Sequence, residues 1–192
     1  DVVAAWRISR VLTLTFLGVG SAFAKRNFQS NALIEAWKIG PHAQSAPDDN
    51  LLIDFGATGP LALYELQKQP GFGYLSHAGT IHYSAIRSVF ITHLHGDHVG
   101  GLEELAVVTR YGSAARKPGL FLPESLVAPL WENCLRGGLG IHSQGRATLQ
   151  DYFEVTPLGP RDGRFTLLDR YEFTPISTDQ VVTNAWSGCW TW

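Results

Sequence analysis

The sequence predicts an α/β fold in which sheets are covered by helices, and three observations carry the prediction. Short apolar runs recur through the first half, each closed by glycine, proline or aspartate. Stretches with a helical apolar period alternate with strands between residues 60 and 135. Strand-like runs then cluster near the end, so strands are both grouped and interleaved with helices.

Val11 to Leu17 is apolar and reads as a first strand, broken by Gly18-Val19-Gly20-Ser21. Ala32 to Lys38 is a second strand before a polar loop with Pro41, Pro47, Asp48 and Asp49. Leu51 to Phe55 is a short buried strand ending at Gly56, and Pro60 opens a helix running to about Lys68. Pro70 to Thr80 reads as a loop, Ile86 to Thr92 as a strand, and Gly101 to Tyr111 as a helix. Leu120 to Leu122 is another strand. A helix follows from Pro123-Glu124-Ser125 through Leu135, ended by Gly137, Gly138 and Gly140. Tyr152–Pro157, Phe165–Leu168 and Tyr171–Ser177 complete the strands.

At 192 residues, 45% hydrophobic and 17% charged, the chain suits one domain with a sizeable core. A net charge of -2 gives no global basic signal, so nucleic acid has no support as a partner beyond a local patch. Cys134 and Cys189 are too few for a disulfide framework and lack metal-site spacing. They suit a reducing, cytoplasmic setting. The alternative is secretion or a periplasmic location, because Arg7 and Arg10 precede apolar Val11 to Val19 and Ala22-Phe23-Ala24 resembles a cleavage site. No run approaches a membrane span. The start at Asp1 without Met suggests a trimmed or incompletely recorded beginning, and the Trp-rich end, Trp186 to Trp192, suggests a truncated or altered C-terminus.

The strongest chemical signal is Thr92-His93-Leu94-His95-Gly96-Asp97-His98, with three imidazoles and one carboxylate in six residues directly after a strand. Neutral imidazole and carboxylate are ligands that Zn²⁺ and similar metals prefer. An extended backbone projects His93 and His95 to one side. Gly96 is expected to let the chain turn, bringing Asp97 and His98 round to a neighbouring position. One metal would then take His93 and His95, and a second Asp97 and His98. Gly100-Gly101 permits close packing and the start of a helix.

This loop resembles the signature of the metallo-β-lactamase superfamily. Thr15 to Ala22 is similar to the first strand and glycine turn of its tRNase Z/phosphodiesterase-like branch, and Leu51 to Gly56 to the strand whose aspartate supports the histidine loop. The matches span roughly residues 11–110. The resemblance implies an αββα sandwich, with C-terminal truncation left open. It also implies a cofactor of one or two Zn²⁺, with Mn or Fe as alternatives, that generate hydroxide for attack on a phosphodiester or another small ester. Asp97 would ligate the second metal and orient or deprotonate the water. Asp54 would hold the loop from behind.

Beyond His98 the sequence departs from that pattern. His142 is the single later histidine, and Gln180, in Pro175 to Val181, stands where the resemblance requires a third histidine ligand. Three readings stay open: an active hydrolase represented by an altered or incomplete chain, a divergent site using His142, and a non-catalytic binding or scaffold relative. A small-molecule or phosphodiester substrate and a homo-oligomer are the partners expected.

Among the other residues, His77 and His82 can contact substrate or sit in a polar surface loop, with the surface loop favoured. Arg110, Arg116 and Lys117 can meet a phosphate or be solvated. His42 carries no evident role. Trp131 is expected in the core, and Trp186, Trp190 and Trp192 in packing or an interface.

Overall fold

Val11–Gly18 forms β1, and Asn31–Trp37 forms β2 antiparallel to it. The apolar stretch that resembles a signal segment is therefore a sheet strand, hydrogen-bonded to its neighbour from Val11 onward. A computed structural model describes residues 11–38, 45–112, 116–142, 145–159, 163–167 and 170–176, the side chain of His142 excepted. Asp49–Ile53 is β3, and Gly59–Leu66 is α1 with Pro60 in its first turn.

The expected loop between 70 and 80 carries structure of its own. A 3₁₀ turn, Gly73–Leu75, leads into a hairpin of β4 (Ser76–His77) and β5 (Thr80–Ile81). Ser88–Phe90 is β6, followed by α2 (Gly96–Val99) and α3 (Leu102–Tyr111). Gly119–Pro123 is β7. The helix after it is not a single α-helix ending at Leu135. It runs as α4 (Glu124–Pro129), a π-helical turn over Leu130–Leu135, and α5 (Arg136–Leu139). Pro129 withholds an N–H from the helical ladder, and the wider turn follows directly behind it. Gly137 and Gly138 lie inside α5, so only Gly140 ends the run.

A hairpin of β8 (Ile141–His142) and β9 (Gly145–Arg146) comes next, then α6 (Leu149–Tyr152), which opens on a Thr148/Asp151 capping box. The described chain closes with β10 (Glu154–Leu158), β11 (Phe165–Leu167) and β12 (Tyr171–Phe173).

The main sheet has the order β1-β2-β3-β6-β7-β10, antiparallel through β3 and parallel from β3 to β10. One face packs on the helices. Leu33, Leu52, Val89, Leu120 and Leu122 from the sheet meet Leu63, Leu102, Leu105, Leu126 and Leu149. The opposite face packs on the β11–β12 hairpin, where Phe165 stacks on Phe121 at 4.6 Å and on Phe173 at 5.1 Å between ring centres. The layers are helices, a six-stranded sheet and a two-stranded sheet. Those are three of the four layers of the expected αββα sandwich, with the second sheet represented by a hairpin among the described residues. None of the described helices is long and apolar enough to cross a membrane.

Leu33 is fully buried between β1, β3 and the helical layer, so truncation leaves a cavity as well as losing transfer energy. Leu33→Ala is expected to cost about 2–5 kcal/mol in urea unfolding.

One buried carboxylate sits in this framework. Glu35 on β2 accepts from Tyr74 Oη at 2.6 Å and from Thr13 Oγ1 at 3.0 Å. Burial pushes its pKa above the usual value, against the downward pull of both hydrogen bonds. A carboxyl whose folded pKa is raised contributes most below its unfolded value and loses that contribution as pH rises through the folded one. Glu35→Gln should therefore cost more stability at pH 4 than at pH 7, measured by denaturant unfolding at both.

Candidate metal centre

β3 and β6 are adjacent parallel strands, with Ile53 beside Phe90, so both deliver their next residues to the same sheet edge. Such carboxyl edges are where α/β sheets bind ligands. Asp54 N–H extends the ladder to Phe90 O at 2.8 Å, and Asp54 then adopts a left-handed backbone with φ 60°. That conformation is costly for a residue with a side chain, and at functional sites it persists when surrounding contacts hold it.

Those contacts are three donors on one carboxylate. Thr92 N–H donates to Oδ1 at 2.8 Å, Thr92 Oγ1 donates to Oδ2 at 2.7 Å, and His98 Nδ1 lies 2.7 Å from Oδ2. The Asp54 side chain is only 5% exposed. Because Thr92 Oγ1 spends its hydrogen on Asp54, it can only accept from His93 Nδ1, 3.0 Å away. Both Nδ1 atoms are thereby occupied, which leaves the Nε2 atoms of His93 and His98 as lone-pair donors in the neutral rings.

Those Nε2 atoms each face one further donor. His93 Nε2 lies 3.1 Å from His95 Nδ1, and His98 Nε2 lies 3.3 Å from Asp97 Oδ2. Two ligand atoms on a tetrahedral Zn²⁺ with bonds of about 2.0–2.1 Å sit roughly 3.3 Å apart. The residues thus fit the group that the resemblance implies, as two donor pairs. Among the described residues, no group of three or more His, Cys, Asp or Glu side chains is placed to hold one ion.

The electrostatics divide the two outer histidines. Burial lowers the pKa of His93, with the neighbouring His98 and His95 acting in the same direction. For His98 burial also opposes the charge. The hydrogen bond and charge of Asp54, with Asp97 behind it, outweigh that and raise its pKa. His93 is the more readily neutral of the two rings, and His98 keeps its proton to higher pH than an unperturbed histidine does.

The backbone of the loop is held as closely as its side chains. Phe55 N–H donates to His98 O at 2.8 Å, Ala57 N–H to Gly96 O at 3.1 Å, and Gly101 N–H to Phe55 O at 2.8 Å. Gly56 is required by this approach, because a Cβ there would stand 1.8 Å from Asp97 O. Gly101 is required likewise, with Gly56 O 2.7 Å from its Cβ position. Gly96 differs from the expectation. It opens α2 without a positive φ, and its Cβ position has open space around it.

Several sequence candidates fall elsewhere. His77 and His82 form a pair on the β4–β5 hairpin with ring centres 5.5 Å apart. Arg110 donates to Asp151 O at 2.7 Å and Lys117 to Gln150 O at 2.7 Å, so both tie down α6 instead of forming a phosphate cluster, and Arg116 is exposed. Trp131 is partly buried against the main core, as expected. Cys134 carries a free thiol. The backbone of His142 pairs with Gly145 in the β8–β9 hairpin. Gln180, His42, Cys189, Trp186, Trp190 and Trp192 lie outside the described residues. Thr92, Gln29 and Asn31 were missed as site residues. The available signal for the last two was a pair of amides, Gln29 and Asn31, leading into the apolar strand Ala32-Leu33-Ile34.

The fold and the site edge define a metallo-β-lactamase-fold protein. Its solved structural neighbours include the metallo-β-lactamase fold protein YhfI from Bacillus subtilis, with a TM-score of 0.52 at 16% identity over 81% of this chain and 48% of that one. Unliganded yeast PDE1 gives a TM-score of 0.60 at 14% identity over 83% of this chain and 54% of that one. At the level of sequence, a family model described as Anti-Pycsar protein Apyc1 matches residues 12–190, and the chain belongs to that family.

Relatives carrying that name include one from Paenibacillus sp. (strain J14), 46% identical over 75% of this chain and 49% of its own length. Others come from Saccharibacillus brassicae, at 42% over 77% and 50%, and from Bacillus phage vB_BsuM-Goe3, at 38% over 78% and 49%. The chain spans about half the length of the curated relatives it matches.

The raised pKa of His98 sets a pH dependence for the metal-free chain. Its charged contact with Asp54 contributes fully below the unfolded histidine value of about 6.5 and is lost as pH rises through the folded value. Unfolding free energies measured between pH 5.5 and 8.5 should show this loss in the wild type, and His98→Gln should flatten it.

Proposed function

We propose that this protein is a metal-dependent hydrolase acting on a phosphodiester, with a cyclic nucleotide as the substrate class. Zn²⁺ is the proposed metal, one or two ions, with Mn²⁺ or Fe²⁺ as alternatives. His93 and His95 would hold one ion, and Asp97 and His98 the other. The observation that supports this most is the pair of donor separations, 3.1 and 3.3 Å, built on rings whose other nitrogens are already committed. Membership of the Anti-Pycsar family supports a cyclic nucleotide over other phosphodiesters, as the signal that an anti-defence protein would degrade.

A bound divalent ion would supply Lewis acidity toward phosphoryl oxygens and lower the pKa of a water at the site. The chain supplies the rest. Asp54 and Thr92 hold the ring orientation of His98 and His93, which lowers the side-chain entropy lost when they engage. Asp97 presents a carboxylate, 13% exposed, beside His98 Nε2 and would orient or deprotonate that water. Gly56 and Gly101 let the backbones of the turn and the loop approach closely, because a Cβ at Gly56 would stand 1.8 Å from Asp97 O and one at Gly101 2.7 Å from Gly56 O.

The test is hydrolysis of a 3′,5′-cyclic nucleotide and of a chromogenic phosphodiester by the purified chain loaded with Zn²⁺ or Mn²⁺. Turnover that falls to background in His93→Ala and after chelation is the expected result. Metal bound without turnover of either substrate would point instead to a non-catalytic binding relative.

A further inference from the structure

We propose that Gln29 and Asn31 are positioning residues for the loop from His93 to His98, acting through the turn Gly56–Thr58. The proposal rests on the metal-site reading above. Both amides are buried, Asn31 to 3% exposure and Gln29 to 8%. The backbone N–H groups of the turn alternate between two partners. Phe55 and Ala57 donate to His98 O and Gly96 O, the backbone of the metal loop. Gly56 donates to Asn31 Oδ1 at 2.8 Å, and Thr58 N–H donates to Gln29 Oε1 at 2.9 Å. The turn is therefore a spacer one residue thick, with side-chain amides on one side and the loop on the other.

Neither amide is free to drift. Asn31 Nδ2 donates to Gln29 O at 2.9 Å, Gln29 Nε2 donates to Ala22 O at 3.1 Å, and Gln29 N–H donates to Thr58 Oγ1 at 2.8 Å. On the other side of the spacer the backbones are in close approach, since Asp97 O would stand only 1.8 Å from a Cβ on Gly56. A shift of Gly56 would therefore bear on Asp97 and His98. Groups behind metal ligands commonly change affinity by about 10–100-fold when removed. These two amides stand one layer further back, and the lower end of that range is expected.

The measurement is Zn²⁺ affinity of the full chain by competition with a chromogenic chelator, paired with urea unfolding of the metal-free protein. Asn31→Leu and Gln29→Leu should each weaken Zn²⁺ binding about tenfold. Tyr152→Phe is the control for general loss of stability. It removes a buried hydrogen bond to Leu139 O, 2.9 Å long, on α6, and should bind Zn²⁺ as the wild type does. Should Asn31→Leu not fold, Asn31→Asp keeps the acceptor for Gly56 N–H and is expected to bind Zn²⁺ more tightly than Asn31→Ala. Wild-type affinity in folded Asn31→Leu and Gln29→Leu overturns the proposal, as does an equal loss in Tyr152→Phe. A wild-type chain that binds no Zn²⁺ overturns the metal-site reading itself, and this inference with it.

Discussion

Three donors converge on the Asp54 carboxylate, and the geometry of the site follows from that convergence. The carboxylate sits at the junction of β3 and β6, almost out of water, where an unpaired charge would be strongly unfavourable. Thr92 satisfies it twice and His98 once. The same contacts assign the hydrogens of both rings, because a hydroxyl that donates to Asp54 can only accept from His93. Two ring nitrogens are left pointing outward with nothing behind them free to rotate. The left-handed backbone of Asp54 is the local cost of aiming one carboxylate at two elements at once.

The sheet makes this convergence possible. Parallel pairing of β3 with β6 puts Asp54 and Thr92 at one edge, and the α1 crossover between them stays on the helical face. Close backbone approach then locks the loop down. Phe55 and Ala57 pair with His98 and Gly96, and Gly56 and Gly101 leave no room for a side chain between the two segments. The histidine loop is thus tied to the β3 end by backbone contacts, although His95 and Gly96 are exposed.

Much of this was legible in the sequence, and the reasons differ by residue. The spacing of His93, His95, Asp97 and His98 carries chemistry in residue identity, so it reads without coordinates. The strands that lead to Asp54 and Thr92 read from apolar runs bounded by glycine and by the loop. Gly96 was misread because a glycine in a sharp motif suggests a turn, whereas the tight contacts fall on Gly56 and Gly101, whose neighbours are distant in sequence. For Arg110 and Lys117 the sequence left a phosphate contact open beside plain solvation, because their partners, the carbonyls of Asp151 and Gln150, leave no trace in local sequence. Gln29 and Asn31 show in the sequence only as two amides before an apolar strand, because their partners, the N–H groups of Thr58 and Gly56, are distant in sequence. The metallo-β-lactamase fold was reached from the histidine loop, but the Anti-Pycsar family was not.

In the proposed site His93 and His95 would present nitrogen atoms to a metal ion, with Asp54 orienting their neighbours. X-ray absorption spectroscopy of the zinc-loaded chain tests this. The expected spectrum has nitrogen or oxygen scatterers at about 2.0–2.1 Å with multiple scattering from more than one imidazole per zinc. Zinc bound without an imidazole signature, or a signature unchanged when His93 and His95 are both replaced by alanine, would contradict it.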